Sequence, residues 1–323
     1  MNNPLVYIII LNWNGIKDTR ECLKSLKKIS YQNYKVILID NGSENNEGEL
    51  IKKEYSEFIH LIKNKENLGF AEGNNVGITY ALNNNSDYVL FLNNDTTVES
   101  NFLDQMVLTV ENNKENNVGM VASKIFDYYK KNHINAVWST IKKNGIFIGQ
   151  GYDMIDNGQY DNTKYVFGPS GCCGLYSSKL LREIKMKSGF FDKDLFAYHE
   201  DIDLNFRAQL INWKCVYDSK SIIYHKHSRS LGNKSPFKTF LNAKNNNIVI
   251  LKNFPTQLLL QYSFLIIGRN ILSIIFNTII LNFSMVKGKL YVFKNIKQHL
   301  KKRKYIQSKK IVSTKYIKSL FGI

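Results

Sequence analysis

The front half of the chain alternates short, wholly apolar runs with polar turns and amphipathic stretches. LVYIIIL (5–11) is apolar at every position, as a strand covered on both faces should be. The polar NWNGIKD follows, then the helix-like TRECLKSLKKI. YKVILID ends in DNGS and precedes a polar helix candidate at 46–56. FIHLI reads as a third strand, and NKENLGFAEGNNVGITYALN supplies a loop and a helix. DYVLFLN is a fourth strand, with another helix over 99–113. Strand, loop and helix repeated four times predict an α/β fold with parallel strands and right-handed crossovers.

That topology places the polar clusters 12–14, 40–43, 67–69 and 93–95 just after strands. The C-terminal ends of parallel strands line one crevice where ligands bind, so four polar loops on one edge predict a site. From 118 to about 166 the pattern weakens into VGMVASKIF, AVWST and GIFIGQG, separated by glycine turns. Mixed or antiparallel strands extending the sheet are expected there. GCCGLYSSKLLREI reads as a strand leading to a helix, HEDIDLNFRAQLINWK as a helix with acids in its first turn, and WKCVYDSKSIIYHKHS as a closing strand.

Beyond residue 235 the pattern changes. Residues 256–286 are mostly apolar, but Arg269 divides the region into uncharged runs of 16 residues (253–268) and 17 residues (270–286). A spanning helix needs roughly 20 apolar residues, so two packed or in-plane helices are expected. GKLYVFKNIKQHLKKRKYIQSKK then mixes bases with apolar residues, as a helix lying on anionic lipid does. The chain accordingly divides into 1–235 and a basic, membrane-associating helical region, 236–323.

Charge sharpens that division. The formal net charge is +17, yet Asp218 is the last acid, and 20 of the 44 bases follow it. The first 218 residues are nearly balanced, with 24 bases against 27 acids. Such a tail seeks an anionic surface, phospholipid or nucleic acid. Cys22, Cys172, Cys173 and Cys215 show neither paired disulfide spacing nor a CxxC pattern, which fits a reduced, cytosolic setting. MNNPLVYIIILNWNG has no basic leader or small-residue cleavage site and reads as a first strand, not a signal peptide.

Four stretches carry candidate chemistry. In DNGS, Asp40 at a strand end can accept a hydrogen bond from the imide N–H of uracil or thymine, with Asn41 and Ser43 beside it; the same four residues also make an ordinary turn. In NLGFAEGNN, Asn67, Gly69 and Asn74 offer backbone and amide donors around a helix start, and Phe70 a packing anchor. In LNNDT, Asp95 follows Asn93 and Asn94 and can hold a divalent cation bridging a diphosphate. In HEDID, Asp201 and Glu200 open a helix and can supply the base that a hydroxyl requires when it accepts a transferred group. Asp203 sits four residues before Arg207 and reads as a helical ion pair. His225, in the HKH that ends the last strand, is a candidate second metal ligand with Asp95.

VYIIILNWNG, VILIDNGSEN, NLGFAEGNNVGI, LFLNNDTTVE, SGFFDKDLFAYHEDIDLNFRAQ and YHKHSRS, in this order over about residues 4–232, resemble the family 2 glycosyltransferases of the GT-A fold. Within them the chain is similar to the rhamnosyltransferase-like and galactofuranosyltransferase-like branch. The resemblance implies a Rossmann-like, mixed and mainly parallel sheet flanked by helices, followed here by the basic helical extension. It implies that Asp40 recognises the base and that Asp95 ends a DxD-type metal motif whose first acid is replaced by Asn93. Asp201 of the Glu200–Asp201 pair becomes the catalytic base, and His225 a metal ligand. Asn12, Asn67, Gly69 and Asn74 fall around the nucleotide.

The implied activity is inverting transfer from a nucleoside-diphosphate sugar, with Mg²⁺ or Mn²⁺, to a hydroxyl of a saccharide or lipid-linked saccharide. L-Rhamnose from dTDP-rhamnose is the first choice. UDP-linked galactofuranose, GlcNAc, galactose or glucose are the alternatives. The expected setting is the cytoplasmic face of the bacterial inner membrane, in surface polysaccharide synthesis, with the tail on its anionic inner leaflet. A nucleotidyltransferase would want a Gly-rich, basic phosphate loop after the first strand, which NWNGIKD is not. The tail's bases are dispersed among apolar runs without an RNP, zinc or helix-turn-helix signature, so nucleic acid is not an expected partner. An inactive scaffold is disfavoured because acid, metal and base positions are all filled.

Overall fold

The computed structural model describes residues 3–227 and 235–322. Its central strand, β1 (Val6–Asn12), sorts its side chains by parity. Val6, Ile8 and Ile10 enter one core, and Tyr7 and Ile9 enter another on the opposite face. β2 (Tyr34–Asn41), β3 (Ile59–Asn64) and β4 (Tyr88–Asn93) run parallel to it in a single block. α1 (Ile16–Leu26) and α2 (Glu47–Glu54) cover the first face, and α3 (Gly69–Asn83) covers the second. An all-apolar run is the pattern that two covered faces demand.

After β4 the chain makes β5 (Thr96–Val98), α4 (Phe102–Glu111) and the long β6 (Val118–Asp127). β7 (Ile134–Ala136) pairs with β6. β8 (Ser139–Ile141) and β9 (Phe147–Gly149) form a separate two-stranded sheet, so GIFIGQG and the end of AVWST do not extend the main one, whereas Ala136 at its start does through β7. β10 (Tyr165–Val166), β11 (Cys173–Ser177), α5 (Ser178–Ile184), α6 (Glu200–Leu210) and β12 (Lys214–His225) complete the front. The sheet order is β10-β12-β6-β11-β4-β1-β2-β3, with β5 on β12 and β7 on β6. β11 runs antiparallel between β4 and β6, making the sheet mixed.

The tail comprises α7 (Pro236–Asn253), α8 (Thr256–Ile279), α9 (Phe283–Lys294), α10 (Ile296–Ser308) and α11 (Thr314–Ser319). The change of composition at 235/236 is not a gap in packing. A third core joins Ile202, Phe206 and Leu210 of α6 to Ile248, Val249 and Phe254, and on to Ile306 and Ile317. α8 also departs from expectation, because it continues unbroken through Arg269. That guanidinium turns inward to Asn246 Oδ1 at 2.8 Å, so the charge needs no helix end. By length and composition α8 could cross a membrane, and 17% of its apolar window is buried. Phe264, Leu272 and Ile279 are among its exposed residues.

Part of the tail's basic excess neutralises the front. Lys252, fully buried on α7, pairs with Asp192 and, at 2.8 Å, with Asp203. Lys302 on α10 reaches Asp192 and Asp194, both at 2.6 Å. Asp203 also pairs with Arg207 at 3.0 Å, the helical pair its spacing predicts. Removing one member of a buried ion cluster strands the others in low dielectric. Lys252→Ala is expected to lower the unfolding free energy by about 3–5 kcal/mol, measured by urea denaturation; an unchanged midpoint would refute the coupling of tail to front.

Candidate active site

The four polar loops do meet at one sheet edge, and hydrogen bonds knit them together. Asn12, fully buried at the end of β1, donates to Ser43 Oγ and Glu47 Oε2, each at 3.0 Å. Its Oδ1 accepts from Thr19 Oγ1 at 2.7 Å, and Thr19 Oγ1 accepts from Asn94 Nδ2 at 2.9 Å. Asp40 is buried, and its carboxylate accepts from the Ser43 and Gly48 amides, both at 3.2 Å. Asn12 and Asp40 thus shape the crevice wall through contacts already made inside the protein.

A second knot forms around the start of α3. Asn41 Nδ2 donates to Asn67 Oδ1 at 3.0 Å and to the Gly69 carbonyl at 3.2 Å. Asn67 Oδ1 also accepts from the Gly69 amide at 2.8 Å. Asn74 donates back to the Phe70 carbonyl at 2.8 Å, and the Phe70 ring meets Phe191 edge-on. Gly69 has φ +78°, and a Cβ there would lie 2.6 Å from the Phe196 ring and carbonyl oxygen. Only glycine allows that approach, which presses this loop against the segment leading into Asp201.

Asp95 and His225 are 130 positions apart in the chain, yet Asp95 Oδ1 lies 3.2 Å from His225 Nε2. The cause is backbone pairing. β5 runs antiparallel to β12 with Thr96 opposite His225, and the Lys226 amide donates to the Asp95 carbonyl at 3.0 Å. His225 Nδ1 faces Asn135 Oδ1 at 3.2 Å, which turns Nε2 toward the carboxylate. An imidazole oriented in this way by a carbonyl oxygen suits metal ligation. The pair therefore fits a divalent cation whose remaining ligands come from a diphosphate and water. When bound, such an ion would neutralise charge developing on the diphosphate. Among the described residues, no group of three or more His, Cys, Asp and Glu is arranged around a metal site. The His227 ring lies tilted at 4.5 Å from that of His225, and the Ser228–Arg229–Ser230 end of the YHKHSRS motif lies outside the described residues.

Asp201 occupies the first turn of α6 and is partly exposed. Its Oδ2 accepts from the Gly171 amide at 2.8 Å. Burial raises its pKa against the opposing pull of the Ile202 and Gly171 amides and the Ser139 hydroxyl. Glu200 is more deeply buried, and its Oε2 has no hydrogen-bond partner among the described residues. Burial and the neighbouring Asp201 push Glu200 well above the usual carboxylate range. Of the two acids, Asp201 is the one open to a substrate proton. The SGCC turn ties it to the Asp95 loop, since the Cys172 carbonyl accepts from the Asn93 amide at 2.9 Å.

The segment before Asp201 is strained. Phe196, Tyr198 and His199 have φ of 66°, 69° and 67°, a region that non-glycine residues seldom enter. Phe196, with ψ −66°, makes a tight γ-turn closed by the Ala197 amide on the Leu195 carbonyl at 2.8 Å. Asn245 on α7 holds this shape, donating from Nδ2 to the carbonyls of Leu195 and Ala197 at 2.8 Å and of Tyr198 at 2.7 Å. Thr19, Asn135, Gly171 and Asn245 were not singled out from the sequence. SGCC carries a glycine signal, whereas nothing in KNNN marks its first asparagine.

With this geometry in place, comparison with known proteins decides the family. The model of the family described as glycosyl transferase family 2 matches residues 7–184. The chain belongs to glycosyl transferase family 2. The family 2 chain is 23% identical over 236 residues to glycosyltransferase GlyA of Streptococcus pneumoniae serotype 4, covering 68% of this chain and 30% of that protein. It is 26% identical to the dTDP-rhamnosyl transferase RfbF of Shigella flexneri, covering 62% of each. The chain thus spans less than two thirds of the length of these relatives. The mannosyltransferase PcManGT from Pyrobaculum calidifontis, solved with GDP-Man and Mn²⁺, superposes with a TM-score of 0.56 at 11% identity, over 99% of this chain and 86% of its own. The fold of the family 2 chain is GT-A: a mixed, mainly parallel sheet flanked by helices, with helices at its C-terminus.

Asn245 offers a direct test of the loop's support. Asn245→Ala removes three hydrogen bonds, and each buried carbonyl left unpaired costs about 1–3 kcal/mol. Amide exchange at 196–200 is expected to accelerate by roughly tenfold or more, measured by hydrogen–deuterium exchange. Exchange no faster than wild type would show that the loop holds itself.

Proposed function

We propose that this chain transfers a sugar from a nucleoside-diphosphate donor to a hydroxyl group, with inversion at the anomeric carbon. The carrying observation is the Asp95–His225 pair at 3.2 Å, joined through the SGCC turn to Asp201. Asp201 accepts the acceptor hydroxyl's proton as that oxygen attacks the anomeric carbon. The bond from that carbon to the diphosphate breaks, releasing the nucleoside diphosphate. A single displacement inverts the centre and needs no nucleophile from the protein. Asp95 and His225 are the residues that would hold Mg²⁺ or Mn²⁺ against the diphosphate, and Asp40 is assigned to the base.

dTDP-rhamnose is the first donor assigned, supported by the likeness to RfbF. A UDP-sugar is the alternative donor, and a panel of both kinds separates them by turnover. The assigned acceptor is a saccharide or lipid-linked saccharide at the cytoplasmic face of a bacterial inner membrane. The exposed apolar flank of α8 and the acid-free sequence after Asp218 support that setting.

Asp201→Asn is expected to lower transfer by about 10²- to 10⁴-fold while leaving nucleotide binding in place. As a base, Asp201 must be ionised, so activity falls as pH drops through its raised pKa. The acid limb of kcat/KM is therefore expected above the ordinary Asp value of about 3.9. Near wild-type turnover in Asp201→Asn would remove the base assignment.

The membrane reading is tested by flotation with vesicles. Deleting 236–323 would expose the shared core, so surface changes are the sounder choice. Phe264→Asn combined with Leu272→Asn, at sites 86% and 68% exposed, is expected to abolish flotation with phosphatidylglycerol vesicles. Equal wild-type binding to neutral and anionic vesicles would eliminate the electrostatic part of the reading.

A further inference from the structure

Helices α7, α8 and α9 enclose two cations that no carboxylate answers among the described residues. Arg269 on α8 and Lys289 on α9 donate to one oxygen, Asn270 Oδ1, at 3.4 and 2.8 Å. Arg269 also donates to Asn246 Oδ1 at 2.8 Å, and its buried Nε has no hydrogen-bond partner among the described residues. Asn270 Nδ2 donates in turn to Asn247 Oδ1 at 3.1 Å, so neutral amides surround the pair. The chain holds no acid after Asp218, and no carboxylate raises the pKa of either group. Elsewhere in the tail Lys252 and Lys302 meet carboxylates and Arg303 meets the Leu251 and Phe254 carbonyls; Arg269 and Lys289 differ in sharing a single amide oxygen.

Two like charges sharing one amide oxygen repel, and the repulsion is poorly screened away from water. Burial together with the charge of Arg269 pushes Lys289 down to about 8. An anion with several oxygens would relieve this strain. An arginine fork beside a lysine point charge suits an oxyanion such as phosphate or carboxylate. The location narrows the choice further. On one side Arg269 bonds Asn246, the neighbour of the Asn245 that holds the loop leading to Asp201, and its charge adds to the burial that pushes His199 in that loop down to about 4. On the other, Leu265 and Leu272 lie about one turn to either side of Arg269 and are largely exposed.

We propose that Arg269 and Lys289 form a subsite for a phosphate group borne by a lipid that meets α8. Apolar side chains flank the cations where an alkyl chain would run, and the catalytic loop lies beyond them. The assignment rests on the membrane-facing reading of α8, and it uses none of the transfer chemistry.

The test reads the site directly. In protein labelled with ¹³Cε-lysine, the Lys289 signal is assigned by its loss in Lys289→Gln and titrated against pH. Tens of millimolar inorganic phosphate, at constant ionic strength, is expected to raise the midpoint and cut the free amine at pH 8 by roughly fivefold. Arg269→Gln is expected to raise the midpoint without phosphate and to abolish the response. A water-soluble alkyl phosphate that acts at lower concentration than inorganic phosphate would assign the site to an individual lipid-linked ligand. A response confined to phosphatidylglycerol vesicles would assign it to bilayer headgroups. An unmoved midpoint with all three probes would overturn the subsite. Because neither flotation nor transfer enters this readout, its failure would leave those two readings standing.

Discussion

One ammonium group inside the protein makes its two halves a single folding unit. Lys252 has no exposed surface and sits between Asp192 and Asp203. Withdrawing three charges from water is costly, and only their mutual attraction offsets the loss. Neither half is tolerable alone, since the front would leave Asp192 without a cation and Asp203 with Arg207 alone, and α7 would bury an unpaired cation. Asp203 lies two residues beyond Asp201 on α6, so the same interaction that attaches the tail also fixes the helix carrying the proposed base. Asn245, about two turns before Lys252 on the same face of α7, then sets the backbone before that helix.

The site itself is held by backbone more than by side chains. The pairing of β5 with β12 decides that Asp95 faces His225, and a slip of one residue would turn the imidazole to the other face of the sheet. β11, the antiparallel strand between β4 and β6, brings the SGCC turn between Asn93 and Asp201. Two carboxylates from distant parts of the chain thereby depend on one four-residue turn.

Much of this was legible in the residue order. The four apolar runs specify buried strands because every position is covered, and the polar residues that end them collect on one edge by topology alone. The approach of His225 to Asp95 was readable once both were placed at strand ends. Three-residue strands such as β8 and β9 are too short to show a period, so their separation from the main sheet was not. Arg269 looked like a helix boundary because its amide partner, Asn246, is remote in sequence. The basic tail read as bound for an anionic surface for a similar reason: the carboxylates that Lys252 and Lys302 neutralise lie about 50 to 110 positions earlier.

The apolar flank of α8 also governs how the protein behaves in plain buffer. With no bilayer present, the surface most able to cover Phe264, Leu272 and Ile279 is the same flank of another copy. Basic residues on the surrounding helices oppose that approach at low ionic strength, and added salt screens the opposition. Colloidal stability should therefore worsen as salt rises, the reverse of ordinary salting-in. Handling conditions follow from the same feature that we assign to the membrane.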